Sequence, residues 1–185
     1  MRLFAAITLP GAAHEAAARQ LRELRSLSWP VRWVHEEGLH LTLKFFGEVT
    51  PDRLETIVEM LGYCVDRMMP MTLAVSGAGV FPFRSKPRIL RLDVDAGTDL
   101  ELLQDRIERG GERIGFPPEG RPFHPHLTLG RMREGHRLPA GALERLESIQ
   151  PQAAFVANTV TLFESEPGPG GPVYLPRAEF PLNGS

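Results

Sequence analysis

His40 and His126 each open the same tetrapeptide, His40-Leu41-Thr42-Leu43 and His126-Leu127-Thr128-Leu129, 86 residues apart. An imidazole ionises near pH ~6.5, so it gives or takes a proton around neutrality. Two that face one another hold an acid and a base together. In-line displacement at phosphorus needs this pair: one group deprotonates the incoming oxygen and the other protonates the leaving one. On an extended chain, residues two apart point the same way, so Thr42 accompanies His40 and Thr128 accompanies His126. Their hydroxyls can donate to the non-bridging phosphate oxygens as charge develops there. Leu41, Leu43, Leu127 and Leu129 then pack behind. Acid and base both come from protein, so the arrangement calls for no metal and no cofactor. An ordinary half-exposed strand accounts for either copy alone, but poorly for two identical copies, one per half of the chain. Zinc is the rival reading, because His124 shares the face of His126. Against zinc, Pro125 intervenes and no Asp, Glu or Cys adjoins either motif.

Both tetrapeptides lie in segments of strand character, Leu39 to Phe46 and Phe123 to Arg131. Helical spacing precedes the first, with Ala13, Ala17, Leu21, Leu24 and Leu27 on one face and Arg19, Arg22 and Arg25 between them as a charged solvent face. Thr50-Pro51-Asp52 opens a second helix over Leu54, Ile57, Val58, Leu61 and Val65, since proline suits a first helical position. A third helix carries Leu100, Leu103, Ile107 and Ile114, and a short fourth runs from Ala142 to Ile149. Further strands are expected at Arg2 to Leu9, Val31 to Val34, Met71 to Val80, Arg88 to Val94, near Ala154 to Phe163, and at Val173 to Phe180. Phe81 to Pro87 reads as a turn and Pro167 to Pro172 as a flexible Gly/Pro loop. Strands and helices mix with hairpin-like neighbours, which points to α+β and away from a doubly wound parallel sheet.

Composition narrows the function classes. The chain has 185 residues, is 42% hydrophobic and 24% charged, and so is neither disordered nor fibrous. A net charge of −2 excludes a polybasic nucleic-acid binder, so any grip on phosphate is local. Cys64 is the only cysteine, which excludes an intrachain disulfide and a Cys-rich zinc site. The apolar start from Leu3 to Leu9 is broken by Pro10-Gly11, too short for a secretory signal, and the expected compartment is the cytoplasm. No apolar run approaches the ~20 residues of a membrane span.

With these residues in view, the sequence resembles the two-histidine (2H) phosphoesterase superfamily, and within it the RNA 2',3'-cyclic phosphodiesterases, historically called 2'-5' RNA ligases (LigT-like). The resemblance runs nearly end to end. It covers Arg2 to Ile7, Val31 to Val34 leading into His40 to Val49, Gly77 to Pro82, Pro125 to Arg131, and Leu162 to Ser165 through Tyr174 to Leu182. Gly130 departs from the alanine frequent in the family, and His124 is an additional histidine. The resemblance implies a single domain over 1–185 of two intertwined lobes: a bilobal α+β fold with two pseudo-symmetric antiparallel sheets, backed by helices around a central cleft. It implies hydrolysis of a terminal 2',3'-cyclic phosphate to a 2'-phosphomonoester without metal, with His40 as proton donor to the leaving 3' oxygen and His126 as proton acceptor. The two copies are too alike for their own residues to divide those roles. Thr42 and Thr128 would hold the phosphate. Arg131 would add positive charge, although its parity opposes that of His126.

Lys44 and Phe46 share parity with His40 and Thr42, so they are expected to border the cleft, one attracting the RNA backbone and the other stacking a base. Phe81, with Arg84 and Lys86 in the turn, is expected to wall the preceding nucleotides. His14, His35 and His136 read as surface residues. The expected partner is RNA with a 2',3'-cyclic end, tRNA fragments and cyclic nucleotides included, met by a monomer with no membrane. Two other functions fit the same residues: 2'-5' ligation, which is the reverse direction, and RNA-end or nucleotide binding without turnover.

Overall fold

A computed structural model describes residues 1–169 and 171–184. The elements are β1 (Arg2–Thr8), α1 (Gly11–Arg25), β2 (Val31–Trp33), β3 (His40–Glu48), α2 (Leu54–Val65), β4 (Met71–Phe83), β5 (Lys86–Asp95), α3 (Thr98–Arg113), β6 (His126–Met132), α4 (Ala142–Glu147), β7 (Ala153–Ala157), β8 (Thr159–Gly168) and β9 (Gly171–Pro181). The expected Ala154–Phe163 strand is two strands, β7 and β8, that pair in opposite halves of the sheet. The turn read at Phe81 to Pro87 shrinks to Arg84-Ser85 because the hairpin pairing continues through Phe83 and Lys86. The loop read at Pro167 to Pro172 is likewise mostly paired, Pro167 with Pro172 and Gly168 with Gly171. Gly170 lies outside the described residues.

The two expected antiparallel halves are β7-β4-β5-β6 and β3-β1-β8-β9, and they join edge to edge. The junction is narrow: β3 meets β6 through Leu41 opposite Leu127 alone. Farther along β6, Met132, Arg131 and Gly130 accept β2 instead. Gly130 is required there, since a Cβ would run into the Arg32 carbonyl oxygen at 2.9 Å and the Trp33 Cα at 3.2 Å.

Helices cover one side of both halves. α2 packs on α3 and β9, α3 on β3, α1 on β7 and β4, and α4 on β4. α1 therefore follows β1 in one half and covers the other, while α3 follows β5 and crosses back. On α1, Ala13, Ala17, Ala18, Leu21 and Leu24 are buried, and Arg22 and Arg25 pair with Glu15 and Glu36 on the outer face. Two glycines bring α3 close in. A Cβ at Gly110 would sit 2.7 Å from Met60 Sδ, and one at Gly111 would sit 2.5 Å from Lys44 Cε. The core is the layer between helices and sheet, where Leu41, Leu43, Leu90, Leu92, Leu127 and Leu129 are at most 3% exposed.

Candidate active site

Both His-Leu-Thr-Leu segments put their leucines into that core and their histidines and threonines on the opposite, open face of the sheet. The antiparallel pairing of Leu41 with Leu127, continued one residue each way, sets His40 across from Thr128 and Thr42 across from His126. The two motifs thus meet head to tail about a local twofold axis.

The imidazoles are held alike. His40 Nδ1 donates to the Gly38 carbonyl at 2.7 Å, and His126 Nδ1 donates to the His124 carbonyl at 2.7 Å. A carbonyl only accepts, so each Nδ1 keeps its proton and Nε2 is the nitrogen left to exchange one. Burial is the main influence on both rings and pushes both below the ordinary histidine value. The carbonyl bonds oppose it, and charge on His126 further disfavours charge on His40. Aromatic rings wall the histidines: Phe4 at 4.8 Å and Tyr174 at 5.0 Å from His40, Phe81 at 5.0 Å from His126. Thr42 and Thr128 are half-buried, and neither hydroxyl is spent on a hydrogen bond among the described residues.

Each motif is followed by a β-bulge at the same step. In β3 the pairing jumps from Ala6 opposite Thr42 to Ala5 opposite Lys44, leaving Leu43 unmatched. In β6 it jumps from Arg91 opposite Thr128 to Leu90 opposite Gly130, leaving Leu129 unmatched. One extra residue inverts the alternation beyond it. Arg131 therefore comes up on the face of His126 and Thr128, where its charge, with that of Arg2, works against burial in keeping the Tyr174 phenol from rising further.

The same bulge overturns the expectation for Lys44 and Phe46. Both turn to the helical side. The Lys44 side chain is 2% exposed, with Nζ 2.6 Å from Glu108 Oε2 and 3.0 Å from the Pro117 carbonyl. Phe46 is 7% exposed and packs edge-on against Phe116 at 5.3 Å. The residue that does reach the cleft is Phe45, 57% exposed and 5.9 Å from Phe4. Nothing in a single sequence marks an unmatched residue, because a bulge is a property of pairing. Phe81 lies beside His126, with ring centroids 5.0 Å apart. Arg84 is held by Glu147, and Lys86 is exposed at the hairpin tip.

Arg91 and Asp93 escaped the sequence reading. They alternate with Leu90 and Leu92 on β5, and that alternation of charge inside a strand was the available signal. Asp93 lies opposite His126 and Arg91 opposite Thr128. His124 joins them, with Nε2 3.1 Å from Asp93 Oδ1 and 3.3 Å from Arg91 Nη2. Among the described residues no three potential metal ligands converge. His35 and His136 are exposed, and His14 is half-buried with Nε2 2.9 Å from the Glu36 carbonyl oxygen.

A family model described as the 2'-5' RNA ligase superfamily matches residues 11–169. A Methanothermobacter thermautotrophicus protein named RNA 2',3'-cyclic phosphodiesterase is 32% identical over 98% of this chain and 99% of its own. A crystal structure from Thermus thermophilus superposes with a TM-score of 0.84 at 28% identity, covering 100% of this chain and 99% of that one. Escherichia coli LigT complexed with 3'-AMP superposes with a TM-score of 0.76 at 28% identity, covering 98% and 97%.

Proposed function

Because this chain belongs to the 2'-5' RNA ligase superfamily, we propose that it hydrolyses the 2',3'-cyclic phosphate at an RNA end to a 2'-phosphomonoester by general acid–base catalysis with His40 and His126. The observation that carries the reading is the matched pair of Nδ1–carbonyl bonds, which leaves two Nε2 atoms on one face of two adjoining strands. His126 Nε2 takes a proton from water as its oxygen bonds to phosphorus. The P–O3' bond breaks, and His40 Nε2–H delivers its proton to the departing 3' oxygen. Thr42, Thr128 and Arg131 hold the non-bridging oxygens, whose charge grows in the transition state. No helix of the described chain is long and apolar enough to cross a membrane, and the cytoplasm is the proposed compartment.

Phe45 takes the stacking role that parity had assigned to Phe46. Phe45→Ala is expected to raise KM on a cyclic-ended oligoribonucleotide about tenfold, in line with ~1–3 kcal/mol per stacked base. The thermal transition stays near wild type, because the ring is exposed. Phe46→Ala does the reverse, with stability lost and KM nearly kept. Steady-state kinetics beside thermal melts separate the two.

The pH dependence follows from the direction of both shifts. His126 acts only when neutral, above its depressed value, and His40 only when protonated, below its own. The profile of kcat/KM is therefore a bell centred below ~6.5, the unperturbed value. In the complex the anionic phosphate favours both imidazolium forms, so the bell in kcat moves upward. A kcat/KM optimum well above neutrality contradicts the burial that sets these shifts. The decisive assay incubates a 2',3'-cyclic-ended oligoribonucleotide with protein and EDTA and follows the product by phosphorus NMR. A 2'-phosphate is expected. A 2'-5' linked product with a 5'-hydroxyl oligonucleotide present would make ligation the better reading, and unchanged substrate would end the reading altogether.

A further inference from the structure

The two motifs are nearly interchangeable, but their surroundings are not. β1 pairs with β3 as β5 pairs with β6, so each neighbour of one histidine has a counterpart beside the other. Opposite His40 stands Thr8, and opposite His126 stands Asp93. Opposite Thr42 stands Ala6, and opposite Thr128 stands Arg91. The residue whose carbonyl fixes the ring is Gly38 on one side and His124 on the other. One strand farther out, Thr161 faces Ala6 while Gly79 faces Arg91. This last exchange is steric as well, since a Cβ at Gly79 would collide with Arg91 Nη1. The fold has opened a slot for a guanidinium on the His126 side and left none beside His40.

Arg91 fills that slot tightly. Its side chain is 13% exposed, its Cζ lies 4.1 Å over the Phe81 ring, and that ring is 5.0 Å from the His126 ring. Asp93 Oδ1 braces Nε at 3.2 Å, but Nε and Nη1 are buried without a hydrogen bond. An incompletely paired buried cation costs stability.

We propose that Arg91, seated over Phe81 and braced by Asp93 and His124, is the residue that makes His126 and not His40 the proton acceptor. It acts through His126, as a positioning residue, and the inference rests on the acid–base reading above. The groups facing His126 are Arg91 and Asp93 on β5, His124 on the segment before β6, and His40 on β3. Burial and charge on His126 both oppose protonation of His40, and the fixed positive charge beside His126 offsets that bias by opposing protonation of His126 as well, so that His40 is the ring left to carry the donated proton. Around His40 stand Phe4, Tyr174, Thr8 and Ala6; Arg131 and Arg2 act on the Tyr174 phenol, but among the described residues no arginine acts on the His40 ring itself. Burial dominates both rings; beyond it the bond to the His124 carbonyl favours charge on His126, Arg91 and then His124 disfavour it, and Asp93 favours it.

Histidine NMR titration of the intact protein, together with pH profiles of kcat/KM on the cyclic-ended oligoribonucleotide, tests this. In Arg91→Gln the titration of His126 should move up by about one pH unit, the scale of a neighbouring like charge. The acidic limb of kcat/KM should move with it while the basic limb stays. Arg91→Lys should restore both. Asp93→Asn should move His126 the other way, and it carries the test if Arg91→Gln gives no folded protein. A His126 titration indifferent to the loss of Arg91 in folded protein, or to Asp93→Asn, overturns the role of Arg91. The NMR readout needs no turnover, so a wild type that leaves the substrate untouched overturns the reaction and is told apart from a failure of this assignment.

Discussion

Alanine at His40 or at His126 is expected to lower kcat on a cyclic-ended oligoribonucleotide by about 10²–10⁴-fold in each single variant, the range of one positioned proton transfer. The double variant should be little worse than either single one, because the two transfers serve one displacement and a site lacking its base gains little from its acid. Folding should survive both changes. The rings stand on the open face, and the leucines beneath them, which hold β3 and β6 in the core, are untouched. Activity and thermal melts on the same preparations check this. Either variant keeping full activity removes the two-histidine mechanism. A variant that loses activity together with its thermal transition shows that the ring was structural.

Lys44→Met is the second large effect, and it falls on stability. Lys44 and Glu108 form a pair at 2.6 Å with side chains 2% and 13% exposed. Glu108 also accepts from Gln104 Nε2 at 3.2 Å and from the Glu119 amide at 3.3 Å, so it is the anchor of a small network tying β3, α3 and the segment after it. Removing the cation strands a largely buried carboxylate, at a cost of about 3–5 kcal/mol. Urea unfolding of Lys44→Met should show a lower midpoint with an unchanged slope. Lys44→Met combined with Glu108→Gln should recover much of the loss, since the stranded charge is then gone. A single variant within about 0.5 kcal/mol of wild type would mean that solvent reaches the pair. Because Lys44 sits one residue past the bulge that inverts the strand, the ammonium also helps hold the register that brings Phe45 to the cleft.

The fate of Lys44 and Phe46 marks where reading by alternation stops. Alternation is set by the geometry of a single extended chain, so it placed His40 with Thr42, His126 with Thr128, and the four leucines behind them correctly. One unmatched residue at Leu43 is decided by what β1 offers across the ladder, and it carried every later assignment to the wrong face. The same event at Leu129 brought Arg131 to the face that its parity had denied it. The α1 arginines were legible as a charged face because helical spacing is equally local.

The repeated tetrapeptide, the α+β mixture and the two-histidine resemblance were all determined by the chain's own residues, since residue type and short-range periodicity depend on no partner strand. Tertiary structure alone decided that Leu41 meets Leu127, that Phe45 faces the cleft in place of Phe46, and that Arg91 and Asp93 stand beside one histidine and not the other. Those outcomes depend on strands far apart in sequence choosing a register, and the hydrogen bonds and packing that set a register exist only once the sheet has formed.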